Sequence, residues 1–144
     1  MLILLPISHP LSKKAGKQPP WPQIRLSDLR NESFILLNQG RRLRRIADQC
    51  FMNAGFQPKI LLESQIPETI YNLVRAGMGI TFGTDRFRKF GIYPEEVTYF
   101  ALDEPLPPRA YSVIYQKERP LPRAALDFIA LAKEVFASRE KSFN

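Results

Sequence analysis

The stretch that most restricts the fold of this chain is a strand–helix–strand unit between Phe34 and Glu63. Phe34 to Leu37 is a short continuous apolar run, which reads as a strand buried on both faces. Asn38, Gln39 and Gly40 interrupt it. Leu43, Ile46, Ala47, Cys50, Phe51 and Ala54 then recur at spacings of three and four, the apolar stripe of a helix. Gly55 stands where a left-handed residue would stop that helix, and Phe56 and Pro58 lead into a second strand, Lys59 to Glu63. Two strands separated by one helix favour a parallel pair with a right-handed crossover.

The same rhythm continues downstream. Pro67 suits a first helical position, Ile70, Leu73, Val74 and Met78 mark an apolar stripe, and GMGITFG carries the chain into a third strand. Asp85 to Phe90 has room for one or two helical turns, Val97 to Leu102 reads as a strand, and Ala110 to Tyr115 as another after EPLPP. Upstream, Leu2 to Leu5 is a short buried strand ended by Pro6 and Pro10, which needs a partner elsewhere in the chain. Leu11 to Gln23, rich in lysine, proline and glycine, is a surface connection anchored by Trp21. The closing helix, Leu121 to Ala137, has Pro122 in its first turn and Ala125, Phe128, Ile129, Ala132, Val135 and Phe136 on one face. The alternation predicts an α/β fold, a mostly parallel sheet with helices on both faces.

Length and composition narrow the function. With 144 residues the chain suits one core, and its 13 prolines belong at connections and first helical turns. Cys50 is the only cysteine, which excludes an intrachain disulfide, and one cysteine with one histidine makes no familiar zinc site. The opening MLILLPISHPLSKK has its lysines after the apolar run, the reverse of a secretory signal, and no run approaches the roughly 20 apolar residues of a membrane span. The expectation is a cytoplasmic chain without a metal, cofactor or membrane partner. Its formal charge of +7 is local: Lys13, Lys14, Lys17, Arg25, Arg30, Arg41, Arg42, Arg44 and Arg45 face only Asp28 and Glu32 over that stretch. Such a surface attracts anions, although arginines along a helix are commonly just solvated.

IRLSDLRNESFILLNQG, a helix ending in NAGFQP, and LVRAGMGITF follow one another in an order and spacing that resembles the effector-binding domain of LysR-type transcriptional regulators. ISHPLSKK is similar to the crossover strand of that domain, and RAYSVIYQKERPLPRAALDFIALAKEVF to its return strand and terminal helix. The resemblance implies two lobes like those of type 2 periplasmic binding proteins, with a small effector held between them. It assigns residues 1–6 to a crossover strand from a truncated first lobe, 7–108 to the second lobe, and 109–144 to the return strand and helix of the first, with Ala110 to Tyr115 running beside Leu2 to Leu5 as the two crossing segments. The DNA-binding domain, the linker helix and the first half of the first lobe have no counterpart here, so DNA would be reached only through a domain absent from this chain. The closing helix, deprived of the strands it would cover, predicts a homo-oligomer.

In an open parallel sheet, ligands collect beyond the carboxyl ends of the strands. That rule selects Asn38, Gln39, Gly40 and Arg41 after the first strand of the unit, Ser64, Gln65, Ile66 and Pro67 after the second, and Phe82, Gly83 and Thr84 after the third. The resemblance points to the first two loops and to the GMG turn with Met78. The candidate effector-binding residues are therefore Asn38, Gln39, Gly40, Arg41, Ser64, Gln65, Ile66, Met78 and Phe82, with an anionic ligand favoured by Arg41. Ser64 and Gln65 equally suit helix capping, and Met78 and Ile66 equally suit the core. Arg42, Arg44 and Arg45 read as an exposed helix face, Cys50 as a buried thiol, and His9 as a packing or hinge residue. No GxSxG, phosphate loop or paired carboxylates stand out, so the chain is not expected to be an enzyme. Two other readings remain: a nucleic-acid binder using the basic stretch with Trp21 for stacking, and a self-assembling module without a ligand.

Overall fold

The computed structural model describes residues 1–15, 19–84, 96–104, 112–116, 118 and 120–140, with side chains through Val135. The expected helical turns at Asp85 to Phe90 lie outside the described residues, as do Ala110, Tyr111 and the side chain of Phe136. The chain divides into two compact units, Met1–Pro107 and Pro108–Asn144.

In the first unit the chain forms β1 (Leu2–Pro6), β2 (Gln23–Ile24), β3 (Ser33–Leu37), α1 (Arg42–Asn53), β4 (Lys59–Ser64), α2 (Pro67–Arg75), β5 (Thr81–Gly83) and β6 (Val97–Leu102). β3 and β4 pair in parallel across α1, as the spacing predicts. β2, β6, β1 and β5 lie side by side in that order, β2 parallel to β6 and β1 antiparallel to both β6 and β5. A parallel bridge from Phe34 to Ile80 joins the two groups, with the Ile80 amide donating to the Ser33 carbonyl and the Ile35 amide to the Ile80 carbonyl, each at 2.9 Å. Followed across these pairings, β4, β3, β5, β6 and β2 all run one way and β1 alone runs against them.

The sheet is covered on both faces, which is why its central strands are apolar without alternation. One face packs Ile3, Leu5, Phe34, Leu36 and Phe82 against Ala47, Cys50 and Phe51 of α1. The rings of Phe34 and Phe51 meet edge to face at 4.8 Å, worth about 1 kcal/mol beyond burial. The other face packs Leu2, Leu4 and Ile35 against Ile70, Tyr71 and Val74 of α2. α1 ends at Gly55, whose φ of +71° favours glycine, and α2 starts with Pro67 in its first turn. Trp21 does anchor its connection, stacking at 5.1 Å on Tyr99 of β6.

The neighbours of β1 differ from the expectation. β5 takes one edge and β6 the other, and of the segment expected beside β1 the described part, Ser112 to Tyr115, forms no strand. β4 is also unlike the other long strands: Ile60, Leu61 and Leu62 are all exposed, and its register slips by one residue opposite Phe34 and Ile35. A bulged, lysine-bearing strand resists further pairing.

In the second unit, α3 spans Arg123–Glu140. Leu126, Phe128, Leu131 and Val135 are exposed on it, Phe128 by 68%, while Ala125, Ile129 and Ala132 are partly covered. Among the described residues no helix is long and apolar enough to cross a membrane.

Candidate functional site

Because β3 and β4 are parallel neighbours, the loops that follow them leave the same edge of the sheet side by side. The Asn38 amide donates to the Ser64 carbonyl at 3.0 Å, which ties the two loops directly. The first then turns through Gly40 and closes with the Arg41 amide on the Asn38 carbonyl. Gln39, Gly40 and Arg41 are exposed; Asn38 is half-buried, with its Oδ1 shielded from solvent and holding no hydrogen-bond partner. In the second loop, Ser64 Oγ accepts from the Ile66 amide at 3.1 Å, so the serine shapes the entry to α2 rather than capping the helix itself. Gln65 and Ile66 are exposed beside it.

The structure thus brings together Asn38, Gln39, Gly40, Arg41, Ser64, Gln65 and Ile66. It separates the other two candidates from them. Met78 precedes β5, at the amino edge of the sheet opposite the loops, because β5 is parallel to β3 and Met78 lies upstream of the residue that bridges to Phe34. Phe82 is buried in the core, its ring 5.3 Å from that of Phe51. It lines a cavity of about 50 Å³ together with Leu37, Leu43, Pro67 and Ile70.

Positive charge gathers at this edge. Arg41, Arg42 and Arg45 are exposed around the start of α1, and its first turn holds no acid. Backbone amides at a helix start carry partial positive charge, so these arginines add to a field already of that sign. The expectation that Arg44 shares this exposed face is incorrect. Arg44 is buried, 5% exposed, on the same side of α1 as Ala47 and Phe51, and its guanidinium has three acceptors. Nη1 donates to the Leu37 carbonyl at 2.9 Å and to Glu63 Oε1 at 2.5 Å, and Nε donates to Asp48 Oδ1 at 2.8 Å. Burial alone would lower its pKa, but the hydrogen bonds and charges of Asp48 and Glu63 outweigh it and hold the group above its usual value. A signal was present in the sequence: 44, 47 and 51 share one helix face.

The remaining reactive groups stand outside this site. Cys50 is buried, and burial with the nearby Glu104 carboxylate pushes its thiol pKa up, so it is a poor nucleophile. His9 caps the short 3-10 turn Pro10–Lys14: its Nδ1 accepts from the Leu11 amide at 3.2 Å and its Nε2 lies 3.3 Å from Glu32.

Comparison with known proteins matches this architecture. The family model of the LysR substrate binding domain matches residues 1–137. The chain is 30% identical over 142 residues to the transcriptional dual regulator GltC of Bacillus subtilis (strain 168), covering 96% of this chain and 43% of that protein. Among solved structures it is similar to HinK, a LysR family transcriptional regulator from Pseudomonas aeruginosa, with a TM-score of 0.70 and 25% identity over 92% of this chain and 43% of the other. It also resembles the CcmR regulatory domain of Synechocystis PCC6803 in complex with 2-PG, with a TM-score of 0.69 and 20% identity over 93% of this chain and 62% of the other. The chain therefore spans less than half the length of GltC and HinK, and it belongs to the LysR substrate-binding domain family.

Proposed function

We propose that this chain is the effector-sensing part of a LysR-type transcriptional regulator, and that it takes a small anionic metabolite at the edge formed by Asn38–Arg41 and Ser64–Ile66. One observation carries this reading: two adjacent strand-end loops, tied by the Asn38–Ser64 hydrogen bond, lie beside three exposed arginines that have no acid in the first turn of α1. The role is binding without turnover. Similarity to a regulatory domain solved with 2-PG supports a small-molecule ligand. In this reading residues 7–108 form one lobe, with β1 inside its sheet, and residues 109–144 belong to the other. DNA is contacted by a domain outside this chain, in the cytoplasm, and effector acts by binding one arrangement of the lobes more tightly than another. Self-association through the exposed Leu126, Phe128, Leu131 and Val135 of α3 belongs to the same reading.

The test is a thermal-shift and calorimetric screen of carboxylates and phosphorylated metabolites, repeated with Arg41→Ala. A ligand that raises the melting temperature, and whose affinity drops in the variant, supports the site. Stabilisation unaffected by Arg41→Ala places the ligand elsewhere. The alternative of a nucleic-acid binder rests on the basic stretch alone; it predicts affinity for any sequence that falls steeply with salt.

A further inference from the structure

We infer that Arg44 is a positioning residue: it clamps the ends of β3 and β4 together and thereby sets the spacing of the two loops that form the effector site. The inference deepens the proposed function and rests on it for its meaning, since Arg44 itself touches no ligand.

Three observations support it. First, the acceptors belong to three different elements: the Leu37 carbonyl is the last of β3, Glu63 is the penultimate residue of β4, and Asp48 is one turn along α1. The residues that follow the first two, Asn38 and Ser64, are the first residue of one candidate loop and the last strand residue before the other. Second, only a guanidinium supplies this combination. Its planar fork directs Nη1 at the two strand ends while Nε is fixed by Asp48, so the helix, acting through Asp48, sets the orientation of the clamp. Third, a group whose purpose was core stability would be apolar. A buried ion pair is commonly no better for stability than a well-packed hydrophobe, yet it fixes geometry that a hydrophobe leaves loose. Here the two carboxylates are 46% and 36% exposed and the guanidinium only 5%, so losing the cation returns both anions to water while leaving the strand ends unclamped. It also leaves two uncompensated negative charges beside a site built for anions.

The test reads the loops directly and needs no ligand. Amide hydrogen exchange is measured by NMR for Asn38, whose N–H bonds the Ser64 carbonyl across the loops, and for Arg41. Ile35 and Ile80 serve as controls, because their amides bond across β3 and β5 away from the clamp. In Arg44→Met, exchange at Asn38 and Arg41 is expected to accelerate at least tenfold with the controls unchanged within twofold. Arg44→Lys, which keeps a charged donor of similar length, should recover part of that protection. Parental protection at Asn38 and Arg41 in Arg44→Met would overturn the inference, as would an equal loss at Ile35 and Ile80, which marks general destabilisation. If Arg44→Met does not fold, Glu63→Ala removes the β4 acceptor of the clamp and keeps the guanidinium paired with Asp48; the same two amides are read with the same expected and refuting results. Titration of the parent with inorganic phosphate tests the anion site separately. Absent shifts at Gly40 and Arg41 count against that site and leave the exchange result to decide the clamp.

Discussion

Gly79→Ala is the substitution with the largest effect that the geometry allows to be worked out. A Cβ at this position meets the Ser33 carbonyl oxygen at 2.6 Å and Ile35 Cγ1 at 3.3 Å. Carbon and carbonyl oxygen are normally no closer than about 3.3 Å, so the backbones of residues 79 and 33 must part by roughly 0.7 Å. The hydrogen bonds of Ile80 with Ser33 and of Ile35 with Ile80, both 2.9 Å, would then stretch to roughly 3.6 Å, beyond bonding range. Two lost bonds at about 1 kcal/mol each, with about 1–3 kcal/mol of overpacking, predict a loss of about 3–5 kcal/mol from a total of about 5–15 kcal/mol. Those two bonds join the β3–β4 pair, and hence both site loops, to the rest of the sheet. The comparison variant is Gly40→Ala, where φ is +87° but nothing lies within 4 Å, so only left-handed strain of about 1–2 kcal/mol applies. Urea unfolding of both variants decides the matter. If Gly79→Ala lies within 1 kcal/mol of the parent, or costs less than Gly40→Ala, the close approach is not the determinant claimed here.

Other outcomes follow from the same structure. Arg41→Ala combined with Asn38→Ala should weaken an anionic effector in calorimetry on a chain containing both lobes, while urea unfolding shifts by no more than about 1 kcal/mol, since both residues lie at the rim. Burial raises the Cys50 thiol, with Glu104 adding to it, and burial raises the Tyr71 phenol, so the unfolded chain ionises first as pH climbs. Stability should therefore be full below about pH 8.5 and decline above it, and Cys50→Ala should flatten the early part of that decline in pH-dependent unfolding. Phe128→Glu should convert an associating species to a lower mass in light scattering at micromolar concentration; a monomeric parent would remove the α3 face as an association surface.

Much of the fold is legible because apolar runs and helix stripes register burial locally. The Phe34–Glu63 unit, Pro67 at the head of α2 and the glycine after α1 each follow from residues adjacent in sequence. What escaped is long-range. β2 is only two residues, Gln23–Ile24, and exists because β6 offers an edge, a condition no local pattern encodes. β1 has the composition of a strand but nothing in Leu2–Leu5 names its neighbours; the resemblance points to the other crossing segment, and β5 and β6 fill both edges instead.

The site divides along the same line. Asn38–Arg41 and Ser64–Ile66 follow from strand polarity alone, since two parallel neighbours must discharge their loops at one edge. The resemblance points to Met78 and the carboxyl-end rule to Phe82, and the structure separates both from the two loops: Met78 precedes β5 at the opposite edge, while Phe82 is inside β5 and faces Phe34 and Phe51. Arg44 departs from its sequence expectation for a different reason. Residue type gave it to solvent and helix position gave it to the core, and position decided because two carboxylates and a strand-end carbonyl stood within reach to satisfy the buried charge. Arg42 and Arg45, one step beyond either side of Leu43 and Arg44, lie off that side of α1 and are exposed. The three arginines at 42, 44 and 45 thus divide into one buried on the core side of α1 and two exposed, a division set by the 3.6-residue period and not by the residues' own preferences.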